Sequence, residues 1–289
     1  MRLSLDFHVF SILLGRGLNG CPLGSSALFH GARTSDVTAA ATVLRKSLPT
    51  DVKLFLCGIS LGGIIAANAA CKGDLDGIVD GVVSICGCFD TLQNSTYHHS
   101  LTAWQPVLNH PLKGAFVDPP GNVRKMLKRV GVNTTEVVSN LVTITDFDYS
   151  FITPLHRFKD ALHYYRDMSA TDEKLVNLKI PLLALHAADD PILHVDTHPV
   201  RQAVEGKLTQ NLICLITRTG GHVGWSLGWF PWLSRWLFQN TITFEFFESI
   251  ANCDHSKHGL RSHGSDTSSE TGSETSSENG SATGSTGAL

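Results

Sequence analysis

The stretch Leu56-Cys57-Gly58-Ile59-Ser60-Leu61-Gly62-Gly63 (LCGISLGG) sets a serine between two glycines and between two apolar runs. Upstream, Val52 to Cys57 (VKLFLC) has the length and composition of a buried strand. Downstream, Leu61 to Ala70 (LGGIIAANAA) reads as a helix of small and apolar residues. A Gly-x-Ser-x-Gly turn from strand to helix is the context a nucleophilic serine requires, because the sharp turn exposes the hydroxyl above the sheet and the helix aims its positive end at it. Both flanking glycines are expected to be sterically required, and Ser60 is expected to take a strained conformation. Without partners, the same residues would form only a glycine-rich turn.

Working outward, apolar runs of strand length alternate with segments of helical period. Phe7 to Leu14 reads as a strand, Thr34 to Ser47 as a helix opening with capping residues, and Asp80 to Cys86 (DGVVSIC) as a strand. Ile180 to Leu185 (IPLLAL) and Leu212 to Thr217 (LICLIT) add two strands, with a helix over Pro199 to Lys207 between them. Such an alternation predicts an α/β fold with a mostly parallel sheet covered by helices, and function at the carboxyl ends of the strands.

A serine hydroxyl is a weak nucleophile at neutral pH, so it needs a base, and the base needs an orienting carboxylate. The chain order for this kind of turn is serine, acid, histidine. The acid falls in Leu185-His186-Ala187-Ala188-Asp189-Asp190-Pro191, and the base in Thr219-Gly220-Gly221-His222-Val223-Gly224-Trp225, each directly after a predicted strand. Asp190 is preferred to Asp189 because it sits just before the proline of the turn. Among 14 histidines, His222 is bracketed by glycines, whereas His186 reads as a satisfied core or edge residue and His194 and His198 lie near a helix start.

With 289 residues, 42% of them hydrophobic, the chain is long enough for one large domain. A net charge of -3 and 17% charged residues leave no basic field for nucleic acid, so no nucleic-acid partner is expected. Seven cysteines, at 21, 57, 71, 86, 88, 214 and 253, lack the spacing of a disulfide framework and read as reduced core residues. Cys86-Gly87-Cys88 has no CxxC or histidine pair at zinc spacing, so no metal is expected. Val9 to Leu14 is too short to span a bilayer, and Asp6 and His8 interrupt any secretory segment, so neither a signal peptide nor a transmembrane segment is read; the expected location is cytoplasmic or membrane-associated. Trp225, Trp229, Trp232 and Trp236 fall on one helical face, which suits packing against the sheet or, as a second reading, insertion at a membrane surface. From Gly264 to Leu289 the chain is mostly Ser, Thr, Gly and Glu, which predicts disorder.

Taken together, GRGLNGCPLGSSALFHGARTSDV, CGISLGG, FDYSFITPLHRFKDALHYYRDMSA, LLALHAADDP and GGHVGW resemble the α/β-hydrolase family. Within it they are most similar to the esterase and phospholipase group called AB hydrolase family four, with the animal α/β-hydrolase-domain-containing proteins of types one and three. The resemblance runs from about Gly15 to Phe238, and Asp146-Phe147-Asp148, Tyr164-Tyr165 and Gly220-Gly221-His222 carry it together. It implies the triad Ser60, Asp190 and His222, hydrolysis of lipid or short- to medium-chain acyl esters, and no cofactor. The Leu61 backbone N–H would be one oxyanion donor, by the elbow rule.

Measured against that family, the first strands and the loop supplying the second oxyanion donor would precede Met1. The chain is therefore expected to be a partial α/β-hydrolase domain over residues 1–250, with a helical cap over about 87–177 and a tail over 251–289. His30-Gly31 aligns with a later family segment and is expected to be no substitute for the oxyanion loop. The alternative expectation is a catalytically impaired pseudo-hydrolase or ligand-binding remnant. Oligomeric state leaves no trace in the sequence.

Overall fold

A computed structural model describes residues 7–12, 28–110, 128, 131, 141–227, 230 and 237–253. The chain divides into two units, Met1–Cys253 and Asp254–Leu289, and all described residues belong to the first. The tail predicted over 251–289 begins late: Ala251 still ends a helix, and residues 254–289, along with Trp229, Trp232 and Trp236, lie outside the described residues.

Among the described residues, four strands form a parallel sheet whose spatial order is the chain order: β1 (Phe55–Ile59), β2 (Gly81–Ile85), β3 (Leu182–Ala187) and β4 (Leu212–Thr217). Every residue of β2 and β3 is buried, including Ser84 and His186, as expected of central strands that are mostly apolar and covered on both faces. Side chains alternate across the sheet. Val82, Leu182 and Ala184 join one core, and Val83, Ile85, Leu183 and Leu185 join the other.

Helix α1 (Ser35–Ser47) precedes β1, and α2 (Leu61–Cys71) connects β1 to β2. Residues Gly63 to Cys71 are all buried, and the small side chains Ala66, Ala67, Ala69 and Ala70 pack in the core that holds Val82 and Leu182. The other face is covered in part by α4 (Leu237–Ala251), where Phe247 stacks on Phe55 of β1 at 4.4 Å between ring centroids. Burial of a phenylalanine of this kind contributes about 1.5–3 kcal/mol. Between β2 and β3, short helical turns and α3 (Ala161–Met168) bring Phe147, Phe151, Tyr164 and Tyr165 into the same core as Val83 and Leu185.

Several predicted elements need correction. Phe7 to Ile12 is not a strand; it has no regular secondary structure, and its Phe7 packs on Phe244 at 4.9 Å while Val9 and Phe10 are exposed. β1 starts three residues later than its apolar run, because Leu54 is held outside the ladder by the Asp80 carboxylate, which accepts its N–H at 2.9 Å. The helix expected over Pro199 to Lys207 is limited to Val200–Val204, ending at Glu205 and Gly206, the latter at φ 68°. Thr34 does precede α1 but caps nothing with its side chain, which donates to Asp74 at 2.6 Å instead. Of the cysteines, Cys71, Cys86 and Cys88 are buried, whereas Cys57 and Cys253 are exposed and not core residues. Trp225 lies in a loop with φ 36°, not on a helical face; it is buried and donates through Nε1 to Thr217 Oγ1 at 2.8 Å. No helix among the described residues is long and apolar enough to cross a membrane.

Candidate active site

β1 ends at Ile59 and α2 begins at Leu61, leaving Ser60 alone between them at φ 54° and ψ -118°. Holding a non-glycine residue there costs about 1–3 kcal/mol, so the surroundings must enforce it. They do so from both sides: Ser60 N–H donates to the Ile85 carbonyl at 2.8 Å, and its own carbonyl accepts the Ile64 N–H at 3.1 Å. Gly58 is obligatory, since a Cβ there would lie 2.1 Å from the Gly62 carbonyl oxygen. Gly62 is not, because a Cβ there would meet nothing within 4 Å. The second close approach falls one residue later, at Gly63, where a Cβ would come within 3.0 Å of the Gly87 Cα.

The structure brings the three predicted side chains together. Ser60 Oγ lies 2.8 Å from His222 Nε2, and His222 Nδ1 lies 2.8 Å from Asp190 Oδ2. Asp190 is buried, and its second oxygen accepts the N–H groups of Ile192 at 2.8 Å and Leu193 at 3.0 Å. Those bonds fix the carboxylate and satisfy the lone pairs that His222 does not use. Asp189, the weaker sequence candidate, does not touch the imidazole; it accepts the Gly221 N–H at 2.8 Å and so ties down the histidine loop. In that loop Gly221 takes φ 56°, and a Cβ on Gly220 would lie 2.4 Å from Trp225 Nε1.

Each strand therefore delivers a residue just beyond its carboxyl end: Ser60 after β1, Cys86 after β2, Asp190 after β3 and His222 after β4. Cys86 is the contribution the sequence reading missed. It is 1% exposed and held at φ 47°, and its sulfur lies with the ligand atoms of Asp190 and His222 in a cluster spanning no more than 4.8 Å. Burial pushes its thiol up to about 12, with the Val223 backbone N–H opposing and Asp190 adding to the rise. Cys88, its partner in the C-x-C pair, is not a member of this cluster.

Above the triad lies a cavity of about 340 Å³ whose lining includes Ser60, Leu61, Cys86 and His222 from the sheet side, and Leu108, Phe147 and Asp148 from the segment between β2 and β3. Most of the exposed lining is apolar. Asp148 supplies a carboxyl to this lining; it is 8% exposed and accepts the Tyr165 hydroxyl at 3.1 Å. Burial raises its pKa from 3.8 to about 7, against the pull of the Tyr165 hydrogen bond.

A family model described as serine aminopeptidase, S33, matches residues 30–215, more than half of the chain. The chain belongs to this hydrolase family. Its parallel sheet, flanked by helices, has the α/β-hydrolase fold. A monoacylglycerol lipase of Saccharomyces cerevisiae is 29% identical over 231 residues, covering 76% of this chain and 48% of the relative. An abhydrolase domain-containing protein of Dictyostelium discoideum is also 29% identical, over 216 residues, covering 72% and 52%. Among solved structures, an acylaminoacyl peptidase in complex with Z-Gly-Gly-Phe-chloromethyl ketone is similar at a TM-score of 0.48 and 18% identity, covering 81% of this chain and 30% of that one. The chain spans about half the length of the curated relatives it matches.

Four further residues bear on the sequence reading. Gly31 N–H donates to the Tyr164 hydroxyl oxygen at 3.0 Å, which engages one of the two backbone donors of His30-Gly31. His30 itself packs against His156 with the rings tilted, 4.3 Å between centroids, and burial lowers its pKa to about 3. His186 is a core residue as read, but it is not satisfied: both ring nitrogens lack hydrogen-bond partners, and the ring stacks on His198 at 3.4 Å. Desolvation holds its pKa well below 6.5, so it stays neutral. Leu61, the predicted oxyanion residue, is the first residue of α2, where a backbone N–H has no intrahelical acceptor.

Proposed function

We propose that this member of the family is a serine hydrolase of lipid-like acyl esters, with Ser60 as nucleophile, His222 as general base and Asp190 as the orienting carboxylate. The observation that carries the reading is the continuous contact from Ser60 Oγ through His222 to Asp190, each step 2.8 Å. In this mechanism His222 Nε2 takes the Ser60 proton as Oγ attacks the acyl carbonyl. Asp190 keeps the other imidazole proton on Nδ1 and stabilises the cation that forms. The Leu61 N–H donates to the tetrahedral oxyanion, helped by the positive end of α2. Collapse expels the alcohol, protonated by His222, and leaves an acyl-serine. Water, deprotonated by His222, then releases the acid and restores the hydroxyl.

An ester is favoured over a peptide amine terminus by the cavity. Its walls are mostly apolar, and an aminopeptidase needs an anion for the substrate ammonium. The carboxyl that lines the cavity, Asp148, is held near pKa 7 and so is only about half ionised at neutral pH. The name of the yeast relative, a monoacylglycerol lipase, supports the same choice. On this reading the segment over 87–177 acts as a cap whose Phe147 and Leu108 bound the acyl chain.

The test is labelling of the folded chain with a fluorophosphonate, alongside hydrolysis of a soluble glyceryl monoester and an aminoacyl nitroanilide. The expected result is label on Ser60, loss of label in Ser60→Ala and His222→Ala, and turnover of the ester in preference to the amide. Labelling that is absent, or undiminished in His222→Ala, would overturn the proposal.

A further inference from the structure

Cys86 has a place in the geometry but no role in acyl transfer. β2 ends at Ile85, and the chain must then turn sharply, because Gly87 is wedged against α2: a Cβ there would lie 2.5 Å from the Gly63 carbonyl carbon. Cys86 absorbs that turn in a left-handed conformation, φ 47°, that a non-glycine residue adopts only under constraint. The result is a sulfur, an imidazole nitrogen and a carboxylate oxygen within 4.8 Å of one another, at the inner wall of the cavity. Asp190 is buried and His222 nearly so, with 17% of its side chain exposed, so a ligand here would be shielded from bulk water on most sides.

We propose that Cys86, Asp190 and His222 form a binding site for a thiophilic divalent cation of the zinc class, and that its occupation switches the triad off. One sulfur, one nitrogen and one oxygen from three different loops, with the cavity on the remaining side, match a tetrahedral ion that keeps one open position. Ligand atoms at about 2.0–2.3 Å from a common ion are about 3–4 Å apart, so the cluster closes on such an ion with a shift of about 1 Å. His222 Nδ1 and Asp190 Oδ2, at 2.8 Å, are already close to that separation.

The proton accounting explains why binding would inhibit. In the resting site the imidazole proton sits on Nδ1, toward Asp190, and Nε2 accepts from Ser60. Coordination through Nδ1 moves that single proton to Nε2, and the Cys86 thiol releases its proton to solvent as the sulfur–metal bond forms. Nε2 then donates to Ser60 Oγ and has no lone pair with which to take the serine proton. The cation therefore locks the base in the wrong tautomer without touching Ser60. Binding stands on the cluster alone, whereas the inhibitory consequence rests on the serine-hydrolase reading.

Two measurements separate these parts. Cobalt(II) is titrated into the full chain carrying Ser60→Ala, and the near-ultraviolet thiolate-to-cobalt band is recorded. A band saturating at one equivalent is expected, lost in Ser60→Ala/Cys86→Ala and weakened at least tenfold in apparent affinity in Ser60→Ala/Cys86→Ser, the variant closest in shape. No band, or one unchanged in both cysteine variants, overturns the site. Zinc is then titrated into the wild-type chain during ester hydrolysis, with a chelator to reverse it. Cys86→Ser, normalised to its own zinc-free rate, is expected to need at least tenfold more zinc for half-inhibition; equal sensitivity overturns the tautomer lock. A cobalt band in a protein that cleaves no ester refutes the hydrolase reading and leaves the cation site standing.

Discussion

Asp189 and Asp190 are adjacent in the chain and grip the same histidine loop by different groups, Asp190 the imidazole of His222 and Asp189 the backbone N–H of Gly221, each at 2.8 Å. The first contact governs a proton, the second only a position. Asp190→Asn is therefore expected to lower kcat by about 10⁴-fold, the loss typical when a triad histidine is left in the wrong tautomer. Asp189→Asn removes one charge-assisted hydrogen bond, worth about 1.5 kcal/mol, and is expected to lower kcat about tenfold with little change in KM. Steady-state kinetics on a soluble ester check both, and equal losses would show that the assignment of the two carboxylates is wrong.

The two glycines around Ser60 are not equivalent. Gly58→Ala drives a Cβ to 2.1 Å from backbone and is expected to destabilise the chain by about 3 kcal/mol or more. Gly62 lies within α2 with open space at its Cβ, so Gly62→Ala is expected to be neutral or to raise stability by up to about 1 kcal/mol through helix propensity. Thermal denaturation of the two variants distinguishes them; similar losses would refute the steric reading.

Asp148 adds a pH dependence to stability. Its folded pKa, raised to about 7, exceeds the unfolded value, so the folded state binds the extra proton between about pH 4 and pH 7. Stability from this group is complete below pH 4 and is lost as pH rises through 7. Asp148→Asn removes the penalty, and its Tm relative to wild type is expected to rise by at least about 4 °C between pH 5 and pH 8. His30, His156 and His198, whose pKa values are lowered by burial, act in the opposite sense but equally in both proteins. A constant Tm difference across that range would contradict the assignment.

Phe247 is 6% exposed and joins α4 to β1 through its stack on Phe55. Phe247→Ala is expected to cost about 3–5 kcal/mol in chemical denaturation and Phe247→Leu about 1 kcal/mol. A loss below about 1 kcal/mol for the alanine variant would mean that α4 is not part of the cooperative core.

Much of this site was legible because its chemistry needs side chains directly after strands. Continuous apolar runs located β2, β3 and β4 within two residues, and Ser60, Asp190 and His222 each follow such a run. Cys86 was not legible as a site residue: nothing in DGVVSICGC says that Ile85 is the last strand residue or that Cys86 turns left-handed beside Asp190. The role of Asp189 was hidden for a related reason, since its partner is a backbone N–H, which carries no sequence signature. Phe7 to Ile12 misled because an apolar run that anchors on a helix by one side chain, Phe7, has the same composition as one that pairs in a sheet. His186 was read as satisfied because burial normally demands it; the stack on His198 is a tertiary arrangement that no local pattern announces.

Strand order carries a mechanical corollary. β1 and β4 are the outer strands of the described sheet, three spacings or about 14 Å apart, yet Ser60 and His222 touch at 2.8 Å. That contact is a strap across the sheet, fastened at one end by the atom that the proposed mechanism acylates. In the proposed mechanism each turnover must unfasten it: once Oγ carries an acyl group it has no proton to give, and the loop from Thr219 to Trp225 keeps its contacts with Asp189, Asp190, Thr217 and Gln239. On that mechanism the acyl-enzyme would be the looser form of the molecule, with its slackness confined to the loop that must next deliver water.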